Sequence, residues 1–328
     1  MVKRADPGAA AEARPVVPGA EGGRRGWVVA GSAVVAAGVL AFHRAVPNRP
    51  GRVGSLLESF LPWFGVVIVL LLGIALVRRS AVALVAVLLP VGAWVHLFGT
   101  LLLPAEEPGA RELDVVQHNV SDENRDPAGT ARTLIESGAD LVALEELVPP
   151  ALSAYEKGLA PTYPHHVVHG TVGLWSKYPL SGSGPVDIKP RSIDDGWSRG
   201  LRAVVHSPYG EVAAYVAHLP SIRIGAAGLA SGPRDESAGV LGRAIASESI
   251  DTVILLGDLN GAAEDRGLAP LTSRLNVAER GFAFSFPRAV PVVRIDQVMA
   301  RAAAVRHLDT LPATGSDHLP VVARVALE

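Results

Sequence analysis

Three apolar runs without an acidic, lysine or arginine side chain occupy the first third of the chain, at residues 27–42, 60–77 and 81–103. A helix that crosses a bilayer needs about 17 to 25 such residues. The second and third runs meet that length, and the first is slightly short and interrupted by Gly31 and Gly38. The pattern therefore predicts a transmembrane region of three helices, with a cleaved signal peptide as the competing reading of the first run. Basic residues in the short flanks set the orientation. The tail at residues 1–26 carries Lys3, Arg4, Arg14, Arg24 and Arg25, and the turn after the second run carries Arg78 and Arg79. Only Arg44, Arg49 and Arg52 lie in the loop between the first two runs. The expectation is a disordered cytoplasmic tail, a multi-pass protein of the cell membrane, and an extracytoplasmic domain from about residue 105 to 328.

Beyond residue 105 the pattern changes to short apolar runs separated by turn residues. Residues 113–120, 140–144, 167–176, 201–206, 212–218, 252–256, 292–299, 305–308 and 319–325 read as strands. Pro127 opens a helix that Gly138 closes, and a second helix covers about 234–247. Strands outnumber helices and do not alternate with them, so the order predicts two sheets covered by helices.

Composition sharpens the division. The protein has 328 residues, 49% hydrophobic and 19% charged, with a formal net charge of −2. That charge splits into +6 for the first 104 residues and −8 for the remainder. Zero cysteines exclude a disulfide scaffold, a thiolate metal site and a cysteine nucleophile.

The chemistry lies at the strand ends. Asn119 closes the first strand, Glu145 and Glu146 the second, His218 a later one, and Asp258 and Asn260 the next; Asp296 interrupts one strand and Asp317-His318 precedes the last. Carboxylates and amides are hard oxygen ligands suited to Mg²⁺, Mn²⁺ or Ca²⁺. A histidine beside them can move protons near neutral pH.

The series QHNV, DLVALEEL, WSKYPL, VAHL, LLGDLN, RIDQV and GSDHLPV, in that order, resembles the endonuclease/exonuclease/phosphatase superfamily of DNase I-like, metal-dependent phosphoesterases. The resemblance covers residues 113 to 325. It implies an α+β fold, a four-layer αββα sandwich, and Mg²⁺ or Mn²⁺ as cofactor. It further implies Glu146 as the metal ligand, with Asn119 near the metal and Asp317 binding or supporting it. Asp258 would orient or deprotonate the attacking water, and Asn260 would donate to phosphoryl oxygens. His318 would face the scissile phosphate with Asp296 fixing its tautomer, and His218 would contact phosphate or protonate the leaving group. Tyr178 falls near a tyrosine of some members, and Arg199 and Arg223 are the arginines placed to contact a phosphate or headgroup. Glu145 stands where the family usually has Gln, and Ser121 stands where DNA-repair members often carry an acid, which removes support for a second metal there.

The function implied is a membrane-anchored, extracytoplasmic phosphatase or phosphodiesterase. Its substrate would be a phosphate or diphosphate of the envelope, such as a lipid carrier, and the arrangement of spans and domain resembles members linked to glycopeptide resistance. Two readings compete. An extracytoplasmic nuclease needs a basic face, which the −8 domain disfavours; a non-catalytic protein that masks a wall precursor would not need the full motif set. The histidines at 165, 166 and 169 read as surface residues of a strand. His96, late in the third apolar run, is an intramembrane candidate for function. The loops at 192–200 and 221–232, next to site motifs, are where substrate selection is expected.

Overall fold

The computed structural model describes residues 20–49, 51–107, 109–225 and 228–328. Most of the cytoplasmic tail expected at residues 1–26 lies outside the described residues.

Helix α1 (Ala20–Phe42) leads into α2 (Val53–Ser59), α3 (Phe64–Val77) and α4 (Ala81–Phe98). In α1, Val29, Ala33, Ala36 and Leu40 are buried, an i, i+3, i+4 stripe of mostly small residues that lets neighbouring helices approach closely. Its other faces are equally apolar but exposed, as Val28, Val35 and Phe42 show. A helix apolar all round and bare on one side is built for lipid. Two helices, α1 and α4, are long and apolar enough to cross a membrane, and a third if α2 and α3 count as one broken span.

That break falls at Phe60, the first residue of the run read at 60–77, and the rest of the run is helical from Leu61 to Val77. The chain bends by 60° between α2 and the segment that continues into α3. Pro62, which lacks an N–H, sits in a single 3₁₀ turn at the bend. The reason for the bend lies in the other domain. Glu58, fully buried on α2, accepts bonds from the Arg266 backbone N at 2.9 Å, from Nε at 2.9 Å and from Nη2 at 2.7 Å. The same guanidinium donates to the carbonyls of Val46 and His43. Trp63 Nε1 donates to the Val292 carbonyl at 2.7 Å, and Arg52 pairs with Asp235. The segment between the first two apolar runs is therefore docked onto the outer domain.

The outer domain runs β1 (Glu112–Asn119), α5 (Pro127–Glu136), β2 (Leu141–Glu145), α6 (Ala151–Leu159), β3 (His165–His169), β4 (Val172–Ser176), β5 (Leu180–Pro185), β6 (Gly200–Ser207), β7 (Gly210–Ala217), β8 (Ile224–Gly225), β9 (Gly228–Leu229), α7 (Gly232–Ala246), β10 (Val253–Asp258), α8 (Ala269–Thr272), β11 (Asp296–Arg301), β12 (Ala303–Thr310) and β13 (Val321–Leu327). One sheet has the order β12-β13-β1-β2-β4-β3 and the other β11-β10-β7-β6-β5. They face each other across a core that includes Val115, Ala143, Leu174, Leu201, Val216, Leu256 and Val298. Helices α5 and α6 cover the first sheet through Leu134, Tyr155 and Trp175, and α7 and α8 cover the second through Leu241, Ile245 and Leu271. This is the four-layer αββα sandwich.

Most elements follow the pattern within a few residues. The strand read over 167–176 is instead a hairpin of β3 and β4, turned at Gly170 in the left-handed region. Helix α6 and strand β5 were not read from the sequence, and the strand read from residue 292 begins at Asp296.

Candidate functional site

Parallel pairing places the ends of β1 and β2 side by side, with Asn119 opposite Glu145. In the facing sheet, β10 and β11 run antiparallel, so the last residue of one, Asp258, is in register with the first of the other, Asp296. The topology alone thus collects Asn119, Glu145, Asp258 and Asp296 at one rim. His218 follows β7 directly and His318 enters β13, and both reach the same place. Three non-glycine residues there, Ser121, Glu146 and Asn260, adopt positive φ of 60°, 62° and 49°. Such strain persists only where its surroundings over-determine it, and it clusters at functional sites.

His318 Nδ1 donates to Asp296 Oδ2 at 2.9 Å, while its Nε2 lies 3.9 Å from Asp258 Oδ2. Asp296 also accepts from Gln117 Nε2 at 3.0 Å and from the Ser285 hydroxyl. The Phe286 ring packs against the imidazole with centroids 4.8 Å apart. Burial disfavours charge on His318, but the charge and hydrogen bond of Asp296, with Asp258 and Asp317 adding, outweigh it and hold the imidazolium up to about 10. Asp296 is correspondingly low: burial would raise it, but His318, Ser285 and Gln117 win. Asp258 is raised, chiefly by burial, with Asp296 adding.

His218 behaves in the opposite way. Its Nε2 is 3.6 Å from Asp258 Oδ2 and 3.9 Å from Glu146 Oε1. One guanidinium nitrogen of Arg199 sits 3.1 Å from Nδ1 and 3.3 Å from Nε2. Burial first, then the positive charges of Arg199 and His318, push His218 down to about 3. The two histidines are split by environment into one cation and one neutral ring, the pattern by which acid and base roles separate. His318 is thereby held with a proton to give, and His218 as a neutral ring beside Arg199.

Glu146 and Asp317 line one cleft of about 460 Å³ together with Asp122, Glu123 and Arg288. Four carboxylates facing one arginine form a hard-oxygen donor set that fits a divalent cation. The ligand atoms of Asp258, Asp296 and His318 also lie within 4.8 Å of one another. There, however, His318 is held as an imidazolium, which has no free lone pair and repels a cation, so Glu146 and its neighbours are the better cation holders.

Asn119, expected near the metal, bonds directly to Glu146, the expected ligand. Its Nδ2 donates to Glu146 Oε1 and to Asp258 Oδ2, both at 3.1 Å, and its Oδ1 accepts the Ser121 N–H at 3.0 Å. The N–H of Ser121 fixes the amide orientation, so Asn119 aligns two carboxylates. Asn260 uses one amide hydrogen on the Leu219 carbonyl at 2.9 Å and keeps the other.

Two expected contacts are not brought in. Tyr178 donates its hydroxyl to Asp140 at 3.2 Å, at the start of β2 and hence the opposite rim from Glu145. Strand β4 runs antiparallel to β2, so its continuation had to emerge there. Arg223 is exposed ahead of β8, where its carbonyl accepts from Ala230. Arg199, by contrast, is at the site.

Residues missed by the sequence reading include Gln117, Ser285 and Asp122. Gln117 Nε2 bridges Glu145 and Asp296 from within β1, and pattern alone marks it as a core position. Asp122, one residue past Ser121, gives its N–H to Glu146 Oε2 at 3.1 Å and lines the cleft, so an acid is present but shifted by one. Burial, with Asp296 and Asp258 adding, raises Glu145 well above the carboxylate range, which makes it the neutral neighbour that a Gln would be.

Residues 116–318 match the Endonuclease/Exonuclease/phosphatase family. No curated protein matches the chain in sequence. Among solved structures, an endonuclease/exonuclease/phosphatase from Bacteroides vulgatus is 17% identical with a TM-score of 0.53, covering 66% of this chain and 99% of its own. D. rerio TDP2, complexed with a single-strand DNA product, is 19% identical at 0.54, covering 65% and 98%. Sphingomyelinase C from Streptomyces griseocarneus is 17% identical at 0.50, covering 66% and 99%. These likenesses share the fold, and the family match spans well over half of the sequence. The chain therefore belongs to the endonuclease/exonuclease/phosphatase family, whose members are metal-dependent phosphoester hydrolases.

Proposed function

We propose that the protein is a membrane-anchored, outward-facing phosphatase or phosphodiesterase that cleaves a phosphate or diphosphate ester carried by an envelope lipid. The observation that carries this is the His318–Asp296 pair beside Asp258, in a domain bonded directly to the apolar helices. Asp258, buried and raised, accepts the proton of the attacking water. Imidazolium His318 donates to the phosphoryl group or leaving oxygen, with Asp296 holding its Nδ1 proton. Arg199 and the free amide hydrogen of Asn260 supply fixed donors for developing charge. Glu146, supported by Asp122 and Asp317, would hold Mg²⁺ or Mn²⁺, which neutralises phosphoryl charge as a Lewis acid when bound.

The combination of spans and domain resembles VanJ, a membrane protein linked to teicoplanin resistance, which supports a cell-wall lipid carrier as substrate. The net −8 of the outer domain weighs against a nuclease. The test is a substrate panel of polyprenyl diphosphate, phospholipid, nucleotide and DNA on the membrane-embedded protein, with and without EDTA. Lipid-borne phosphate should turn over only with metal present. His318→Ala and Asp258→Asn should each reduce turnover by at least about 100-fold. Unchanged rates in both variants, or preferential cleavage of DNA, would overturn the reading.

A further inference from the structure

An apolar groove of about 520 Å³ runs between α3, α4 and the segment before β11, walled by Trp63, Val66, Val69, Val91, Trp94 and Phe284. It lies in the N-terminal half of α3 and the C-terminal half of α4, the halves nearest the catalytic domain. At 1.5 Å rise per residue it extends roughly 10 Å along α3 into the apolar layer. Both tryptophans turn their indole N–H away from it, Trp63 to the Val292 carbonyl and Trp94 to the Pro62 carbonyl at 2.9 Å, so their rings form its sides. Gly65 makes this possible, because a Cβ there would meet the Trp94 ring at 3.2 Å.

The groove does not end in lipid alone. Phe282 and Phe284 connect it, two residues on, to Phe286, whose ring rests on His318, and Ser285 between them donates to Asp296. At its inner wall, sharing Pro62, Phe282 and Phe284, a niche of about 10 Å³ holds Arg294 and Glu264, enough for one water or one ligand oxygen. Arg294 is 6% exposed, its Nε is unpartnered, and its Nη1 makes only long contacts of 3.4 Å and 3.5 Å to the Gly281 and Phe282 carbonyls. The Glu264 carboxylate in the same niche offsets the charge of Arg294, so the niche closes the inner end of the groove and leaves the anionic head to the catalytic site.

We infer that this groove binds the hydrocarbon chain of the lipid-borne phosphoester substrate, seating the chain between α3 and α4 while its head reaches the site along the Phe282–Phe286 segment. The inference rests on the proposed hydrolysis and names how that site selects its substrate. Its volume is that of a ligand pocket, and because a chain in the bilayer is already out of water, the gain on entering the groove comes from close packing against the two tryptophans and Phe284. A phosphoester with a short chain forgoes that gain.

The experiment uses the full chain in nanodiscs of fixed composition and alkyl diphosphates of short and long chain, with Val66→Trp to fill the groove. Leu88→Trp, on a lipid-facing part of α4 outside the groove, is the control. In the native protein kcat/KM should rise with chain length. Val66→Trp should lower the long-to-short ratio by about tenfold, mostly through KM, and Leu88→Trp should leave it alone. An unchanged ratio, or an equal fall for both chains, overturns the inference. A diazirine-bearing alkyl diphosphate reads the groove without catalysis: it should label α3 and α4 in an Asp258→Asn background and be competed by long chains only. If labelling succeeds but no chain is hydrolysed by the native protein, the proposed function fails and the groove stands. Absent labelling, or competition by short chains alike, removes the groove whatever the activity.

Discussion

At the scale of single residues, the site works by giving like groups unlike surroundings. His318 and His218 differ in what faces them: Asp296 on one, Arg199 on the other. Arg199→Ala should relieve the repulsion and let His218 rise from about 3, so its neutral form should be lost at a higher pH on the acid limb of the kcat profile. An acid limb that does not move would show that burial alone sets His218. The metal-free protein should also report these shifts as stability. His118 and His218 are both held near 3 in the folded state, mainly by burial. Their unfolded forms take protons below about 6.5. Stability should therefore fall as pH drops from about 6.5 toward 3, by up to about 1.4 kcal/mol per pH unit per histidine. His318 has the opposite sign: raised to about 10, its contribution is complete below about 6.5 and lost as pH rises through 10. Thermal unfolding across pH should thus peak near neutrality, and His118→Gln should flatten the acid side. Asp258 is raised chiefly by burial, with Asp296 adding, so Asp258→Asn should preserve or raise Tm without metal while abolishing turnover.

At the scale of elements, strand pairing and one short helix do most of the positioning. Asn119, Asp258 and Asp296 were legible because each is a polar residue at the edge of an apolar strand, and the pairing of β1 with β2 and β10 with β11 makes those edges coincide. Tyr178 was misplaced because a linear pattern does not say at which rim a strand ends; the antiparallel pairing of β2 and β4 decides that. Gln117 and Ser285 were illegible for a related reason: each matters through tertiary bonds, Gln117 to Glu145 and Asp296 and Ser285 to Asp296, which no local pattern marks. Helix α2 is held by Glu58, a buried carboxylate whose partners all come from Arg266 and His43. Removing one member of such a pair leaves an uncompensated charge. Arg266→Ala should cost about 3 kcal/mol, and Glu58→Gln less, because the Arg266 guanidinium it leaves unpaired is 26% exposed and keeps the Val46 and His43 carbonyls. Thermal shift of the full chain in detergent checks both, and an unaltered Tm for Arg266→Ala would show that the contact is dispensable.

At the scale of the whole molecule, the apolar N-terminal helices and the endonuclease/exonuclease/phosphatase domain are coupled parts. Catalytic-domain residues that bond the anchor, such as Arg266 and Val292, lie within a few residues of Asn260 and Asp296. Truncation to residues 105–328 would strip Arg266 of five acceptor contacts. That fragment should melt below the full chain and hydrolyse a soluble phosphoester more slowly, measured side by side with Mg²⁺ and with EDTA. Equal melting and rate would mean that the anchor only tethers. By itself the sequence determined the division into a basic apolar third and an acidic domain, the run of strands, and the acids, amides and histidines at their ends. These properties are local, set by periodicity and side-chain type. Tertiary structure alone decided which strand ends share a rim, which histidine faces Asp296 and which Arg199, that Asn119 aligns carboxylates, and that residues 53–59 form a docked helix ahead of the second span. Each of these depends on the distance between groups remote in sequence, and charge, hydrogen bonding and burial act through that distance.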